Sequence, residues 1–571
     1  MRYSAVASDF DGTLARAGRV DSATIRALKQ LLQSGRKLIL VTGRLLDDLS
    51  VIFPEMHLCD WVVADNGAVL YRPSTREQKL LGSPIPDVFV AALRQRHVPD
   101  LSIGRSIVAT MRPHEVTVLE TIRDLGLELQ VIFNRDAVMV LPAGVNKATG
   151  LTAALKEMGL SAHNVVGIGD SENDHALLNS CEYAVAVANA LPALKATADW
   201  VTRGEDGQGV VELVEALLAH DLDAPQFRQT RRRLLLGTEG QGREVGVNAQ
   251  GLNLLLAGSS GSGKSTLATG LLERLWQQGY QVCIIDPEGD YESLAEAIVL
   301  GNTQHGPAVA EILTTLERPD LSVVVNLVGV PLQDRPAFFM SLLPALQERR
   351  ATCGRPHWIL VDETHHLLPS DWRQPQEVSA SALRDMIYIT VHPEHVAKAV
   401  LDSVDAIVTL GEDPWGTIQR YCDAIHIPPP NLNSGDLAPG EALLWHRESQ
   451  HDPLQFRITP FETDRRRHRR KYAVGELPVE RSFYFRGPEN VLNLKAHNLI
   501  LFAHLAEGVD DATWLHHLRK GDYSRWMNES IKDPHLADEV QDIERQASLS
   551  AEESRGLVKA AIERRYTLPV G

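Results

Sequence analysis

Ala5-Val6-Ala7-Ser8-Asp9-Phe10-Asp11-Gly12-Thr13 decides how the N-terminal third is read. Small apolar residues give a short buried strand, which runs into two carboxylates at i and i+2 and then a glycine. The strand ends of parallel α/β sheets are where such folds place their chemistry. Working outward, further short apolar runs (LILVTGR at 38–44, VVADNGAVL at 62–70, VVGIGDS at 165–171) alternate with helical patterns such as SATIRALKQLLQSG at 22–35. That alternation predicts βαβ units around a parallel sheet over residues 1–222.

The residues suggest an aspartyl-phosphate chemistry. Asp9 can attack phosphorus and form an acyl phosphate, and Asp11 can protonate the leaving oxygen and then deprotonate water. Two carboxylates and a phosphate need cations beside them. Asp170, at the end of GIGDSEND, can hold Mg²⁺ with Asp9 and the backbone carbonyl of Asp11, because Mg²⁺ takes hard oxygen ligands. Lys147 offers a fixed positive charge, and Thr42 a hydroxyl and N–H for phosphate oxygens.

DFDGT, VTGR, GVNKATGL and GDSENDHALL, in that order, resemble the four motifs of the haloacid dehalogenase superfamily, and within it the Cof-type (IIB) phosphatases. The resemblance implies a Rossmann-like core with an inserted α+β cap at about 72–143, preceded by Asn66-Gly67-Ala68. It makes Asp9 the nucleophile and Asp11 the acid/base. Thr42, Gly43 and Lys147 become phosphate binders, Asn173 a phosphate contact, and Asp9, Asp11, Asp170 and Asp174 the metal site. The short cap is closer to the phosphoglycolate or sucrose-phosphate phosphatases, and leaves the substrate open. A phosphomutase on the same core is also open.

A second α/β rhythm fills 230–462. The strand LNLLLAG leads into Gly258, Ser259, Ser260, Gly261, Ser262, Gly263, Lys264, Ser265 and Thr266, followed by a helix. This is the G-x-x-x-x-G-K-S pattern in its strand–loop–helix setting, a phosphate cradle for ATP. Lys264 reaches the β- and γ-phosphates and Ser265 the Mg²⁺. WILVDE places Asp362 on the Mg²⁺ side and Glu363 as the base that orients water. IIDPEGDYESL at 284–294 resembles a stretch of the HerA/FtsK-type ATPases, with Glu288 a further acidic candidate and Thr390 or His392 a polar sensor. A RecA-like ATPase domain follows from that resemblance, with a possible homo-oligomer through it. His365-His366 reads as a polar helix start rather than a metal pair.

Residues 482–571 read as a small, mainly helical domain of unknown role, with Trp514, His517, Tyr523 and Trp526 as core. The run Arg465-Arg466-Arg467-His468-Arg469-Arg470-Lys471 reads as a solvated linker. The formal charge of −17 argues against broad nucleic-acid affinity, though not against a local contact. Five scattered cysteines without a C-x-x-C pair give neither a zinc site nor a disulfide framework, and no apolar run reaches membrane-spanning length. A cytoplasmic protein is expected: a Mg²⁺-dependent hydrolase of a small phosphomonoester, fused to an ATP-binding and hydrolysing domain. The alternative is an ATP-driven assembly or DNA-associated motor with an accessory phosphatase.

Overall fold

The structure is a computed structural model that describes residues 1–224, 227, 231–240, 242–259, 261–372, 384–431, 437–449, 451–459, 481–488, 492–531, 533–546 and 548–566. The apolar runs of the first block become β1 (Ala5–Ser8), β2 (Lys37–Val41) and β3 (Trp61–Ala64), paired in parallel, then the antiparallel hairpin β4 (Val69–Arg72) and β5 (Glu77–Leu80). An inserted layer follows: β6 (Ser102–Ile103), β7 (Val108–Met111), β8 (Leu129–Asn134) and β9 (Ala137–Pro142), antiparallel in the order β6-β7-β9-β8. Helices Asp87–Gln95 and Glu115–Asp124 cover it through Phe89, Leu93 and Val118. The chain then returns as β10 (Val165–Gly169), β11 (Tyr183–Ala186) and β12 (Trp200–Val201), and the core sheet runs β12-β11-β10-β1-β2-β3-β4-β5.

The cap was expected to start near residue 72, but β4 and β5 belong to the core sheet. Backbone pairing across Val69↔Leu80 extends that sheet by a strand, so the separately packed layer begins after Leu80. Both faces of the parallel part of the core sheet are covered, which is why those strands are nearly all apolar. Val6, Leu38, Leu40 and Val62 pack with Leu28, Leu31, Val210 and Leu213 on one face. Ala5, Ala7, Ile39, Val41 and Val63 pack with Leu151, Ala154 and Leu155 on the other.

The second block forms β13 (Arg233–Thr238), β14 (Glu244–Asn248), β15 (Leu254–Gly258), β16 (Val282–Asp286), β17 (Ala297–Leu300), β18 (Ser322–Asn326), β19 (Trp358–Val361), β20 (Met386–Thr390), β21 (Ala406–Leu410), β22 (Glu441–His446) and β23 (Leu454–Ile458). They form one sheet, ordered β14-β13-β23-β22-β21-β15-β20-β19-β16-β18-β17. The stretch from β21 to β17 is parallel, and the other four strands extend it antiparallel.

Residues 1–459 form one compact unit. Within it the core sheet's domain and that of the eleven-stranded sheet meet across a buried polar cluster. Glu182, wholly buried, faces His163 Nδ1 at 2.5 Å, Arg232 Nε at 3.2 Å and the Tyr280 hydroxyl at 3.0 Å. His163 stacks on Tyr280 with ring centres 3.8 Å apart, and its Nε2 lies 2.7 Å from the Gln278 carbonyl. Both ring nitrogens of His163 therefore face oxygen atoms, one from each sheet's neighbourhood. Gln278 is the C-cap of helix Lys264–Gln277, the helix that follows the glycine-rich loop.

A second unit, from Pro460, holds β24 (Phe483–Phe485), β25 (Leu494–Ala496) and five helices among its described residues. Phe483, Phe485, Phe502, Trp514, Tyr523 and Trp526 form its core, as aromatics at helical spacing suggested. His517 is pinned there, accepting from the Arg486 N–H at 3.1 Å and meeting Asp522 at 2.8 Å. The basic run at 465–471 lies outside the described residues. No described helix is long and apolar enough to cross a membrane.

Candidate functional site

β1 and β10 are neighbours, and the chain winds away from them in opposite directions, so a crevice opens beyond their C-terminal ends. Asp9 follows β1 and Asp170 follows β10 there. Gly12 turns the chain with φ +77°, and a β-carbon on it would lie 2.5 Å from Asp170 Oδ2. Asn146 caps helix Lys147–Met158, accepting from the Ala148 and Thr149 N–H groups at 2.9 and 3.1 Å. That cap fixes Lys147 at the first helical position and aims it into the crevice.

Lys147 is buried and donates to Asp9 Oδ1 at 2.5 Å and Asp174 Oδ1 at 2.7 Å. A cation at a helix N-terminus opposes the helix dipole, and burial alone would lower its pKa. The Asp174 and Asp9 carboxylates outweigh burial and hold the ammonium above its ordinary value. Burial, with Asp174 close by, pushes Asp9 well up, against the pull of Lys147. Asp174 is spoken for on both oxygens: Oδ2 accepts the Asp170 and Ser171 N–H groups, each at 3.0 Å. It shapes the loop as well as standing beside the expected metal position.

Oxygens of Asp9, Asp170 and Asp174 all lie within 4.8 Å of one another. Buried hard oxygens with more negative charge than Lys147 offsets suit a divalent cation such as Mg²⁺. Thr42 is buried at the end of β2, its Oγ1 accepting the Arg44 N–H at 3.1 Å. Gly43 faces Asn173, whose Nδ2 donates to Asn66 Oδ1 at 3.0 Å. The buried Asn173 Oδ1 and Asn66 Nδ2 have no protein partner. Asp11 stands at the rim, half exposed, with Arg44 Nε and Nη2 on its two oxygens at 2.5 and 2.7 Å.

Two cations here escaped the sequence reading. Arg44 closes the VTGR motif, so its position was visible although its partner was not. Arg135, from the β8–β9 turn, donates to Asp170 Oδ2 at 2.5 Å, and no local pattern announces that contact.

The second site lies beyond β15, with β20 between it and β19. Gly263 caps helix Lys264–Gln277 with φ +98°, a conformation that costs a side-chain-bearing residue. Lys264 is folded onto its own loop, donating to the Gly258 and Ser259 carbonyls at 2.8 and 2.9 Å, and burial lowers its pKa. The Ser262 hydroxyl is buried without a partner. Gly261, Ser265 and Thr266 continue this loop and helix, whereas Ser260 lies outside the described residues.

Asp362, at the end of β19, is buried and pushed up to about 8 by that burial; burial also raises Glu363. Lys264 feels both carboxylates. Thr390 at the end of β20 meets His365 Nδ1 at 3.1 Å, and His365 stands 3.4 Å from Glu363. His392 bonds Glu394 instead, at 3.2 Å. Asp286 accepts three N–H groups, from Gly289, Asp290 and Tyr291, and so shapes the turn that carries Glu288. Glu288 is exposed and close enough to raise Glu363. Among the described residues His365-His366 belongs to no metal-holding cluster.

Residues 6–96 and 109–214 match the family described as haloacid dehalogenase-like hydrolase, and residues 240–349 match the central domain of helicase HerA. A phosphoglycolate phosphatase of Methanothermobacter thermautotrophicus is 32% identical over 225 residues, covering 38% of this chain and 98% of the relative. One from Archaeoglobus fulgidus is 29% identical over 217 residues, covering 37% and 96%. A solved haloacid dehalogenase-like hydrolase from Bacteroides thetaiotaomicron is 19% identical, with TM-score 0.34, covering 38% of this chain and 99% of that one. Since nearly the whole of the first relative is matched at that identity, the chain belongs to the haloacid dehalogenase-like hydrolases and carries a HerA-like domain on the same polypeptide.

Proposed function

We propose that residues 1–222 hydrolyse a small phosphomonoester through an aspartyl-phosphate on Asp9, and that residues 230–462 bind and hydrolyse ATP. The observation that carries the first part is Asp9 at a strand end, held by buried Lys147 with Asp170 and Asp174 alongside. Asp9 attacks phosphorus, the phosphorus–oxygen bond to the leaving group breaks, and Asp11 gives that oxygen a proton. Asp11 then takes a proton from water, which attacks the acyl phosphate, frees inorganic phosphate and restores the Asp9 carboxylate. Mg²⁺, held by Asp9, the Asp11 backbone carbonyl and Asp170 beside Asp174, would supply positive charge against the phosphate oxygens. Lys147, Thr42, Gly43 and Asn173 orient the phosphoryl group. Arg44 must release Asp11 for the acid step, since it holds both carboxylate oxygens.

The relatives named phosphoglycolate phosphatases favour a short phosphorylated acid as substrate. In the second site a phosphate gives Lys264 an alternative to its own loop carbonyls, with Ser265 and Asp362 on the Mg²⁺ side and Glu363 as base. The HerA match favours a second reading, a nucleotide-driven motor with an accessory phosphatase.

Phosphate release from a panel of esters with Mg²⁺, with and without ATP, separates the readings. Turnover of short phosphorylated acids, abolished in Asp9→Asn and retained in Lys264→Ala, supports the phosphatase. Brisk Lys264-dependent ATP hydrolysis stimulated by DNA, with no ester turned over, overturns it in favour of the motor.

A further inference from the structure

Arg135 lies at the tip of the β8–β9 hairpin, in the left-handed region at φ 52°, and more than half of its side chain is exposed. A long cation on a hairpin tip is ordinarily free to point into water. This one turns inward onto the catalytic core. Its Nη2 donates to Asp170 Oδ2 at 2.5 Å, and its backbone N–H donates to Glu172 Oε2 at 3.2 Å. Asp170 is wholly buried, and its remaining bonds come from the Thr13 hydroxyl at 3.3 Å and the Ser171 hydroxyl at 2.8 Å. A divalent cation bound by Asp9 and Asp170 therefore competes with a guanidinium carried by the cap. Like charges sharing one carboxylate repel strongly.

The surroundings say what a displaced guanidinium would meet. The cap lies directly on the phosphate-binding loop: a β-carbon at Gly43 would sit 3.5 Å from Met139 Cε. Ile107, Met139 and Leu141 from the cap pack with Ala68, and Ile132 and Ala109 join them. These buried contacts hold the cap against the core beside the phosphate-binding loop. A guanidinium presents a planar fork that matches a carboxylate.

We infer that Arg135 is a specificity-determining residue of the cap: when a divalent cation takes Asp170, the released guanidinium receives a carboxylate on the phosphorylated substrate. The inference rests on the phosphatase reading above and deepens it. Cation binding and selection of an acidic substrate become one exchange, in which Arg135 trades the carboxylate of Asp170 for that of the substrate.

The full chain and its Arg135→Gln and Arg135→Lys variants test this with two esters of matched length, 2-phosphoglycolate and the neutral 2-hydroxyethyl phosphate. Arg135→Gln is expected to raise KM for 2-phosphoglycolate on the order of 10- to 100-fold, as loss of a charged hydrogen bond does. KM for the neutral ester should hold within about three-fold by the same reasoning, and Arg135→Lys should recover part of the loss. Mn²⁺ titration followed by electron paramagnetic resonance, with no ester present, reads the exchange independently: Arg135→Gln should bind Mn²⁺ more tightly than the wild type. Equal effects on both esters, or none on either, overturn the specificity role. Unchanged or weaker Mn²⁺ binding overturns the exchange. A wild type that turns over neither ester overturns this inference, and turnover of another ester of the panel would leave the phosphatase reading standing.

Discussion

Replacing Glu182 should loosen the eight-stranded and eleven-stranded sheets of the first unit from each other. Its carboxylate is buried and faces His163, Tyr280 and Arg232 together. Glu182→Ala takes this partner from Arg232, His163 and the Tyr280 hydroxyl, and breaking a buried ion pair on one side costs about 3–5 kcal/mol. At roughly 1.4 kcal/mol per decade, that weakens docking of the two sheets by about two to three and a half orders of magnitude. An unfolding entropy of about 2.1 cal/mol/K per residue over residues 1–459 amounts to roughly 1 kcal/mol/K. The melting temperature should therefore fall by about 3–5 °C. Calorimetry should also split one transition for this unit into two.

The pH dependence has a definite sign. Burial opposes the Glu182 charge, but the His163 contact prevails and holds its pKa below the ordinary value of 4.5. A carboxylate with a lowered folded pKa stabilises fully above its unfolded value and loses that contribution as pH falls through the folded one. The gap between wild type and Glu182→Gln should shrink as pH falls below 4.5. A single unshifted transition in Glu182→Ala, or a gap that widens in acid, would refute the argument.

Other outcomes follow from the two sites. Lys147→Met should reduce ester turnover by about 10³-fold, the scale of losing one preorganised charge, and lower stability. Adding Asp9→Asn should restore part of that stability by removing one of the two stranded carboxylates, read as a rise in melting temperature. Asp170→Asn should weaken Mn²⁺ binding in calorimetry by at least about ten-fold, and chelation should halt ester turnover until Mg²⁺ is returned. Lys264→Ala should abolish binding of a fluorescent ATP analogue while leaving ester turnover without ATP intact.

The candidate sites were legible in the chain because their residues sit at strand ends. Asp9, Thr42 and Asp170 each follow a short apolar run, and Lys147 opens a helix announced by Asn146, so local pattern and position coincide. The glycine-rich loop was legible for the same reason. What escaped depends on contacts between distant segments. β5 read as the start of an insertion, because whether a strand joins a sheet is decided by pairing across Val69↔Leu80 and not by its own composition. Arg135 and Asp170 are 35 positions apart, and only the folded cap brings them together. Glu182, His163 and Tyr280 come from segments with no shared periodicity, and a lone buried carboxylate gives no signal until its partners are in place.

The central claim is that phosphate passes through Asp9. Acid quenching of the full chain during turnover of 2-phosphoglycolate with Mg²⁺, borohydride reduction and peptide mass spectrometry test it most directly. Asp9 alone should be converted to homoserine, with no conversion and no turnover in Asp9→Asn. An unmodified Asp9 in an enzyme still turning over ester, with activity surviving in Asp9→Asn, would contradict it.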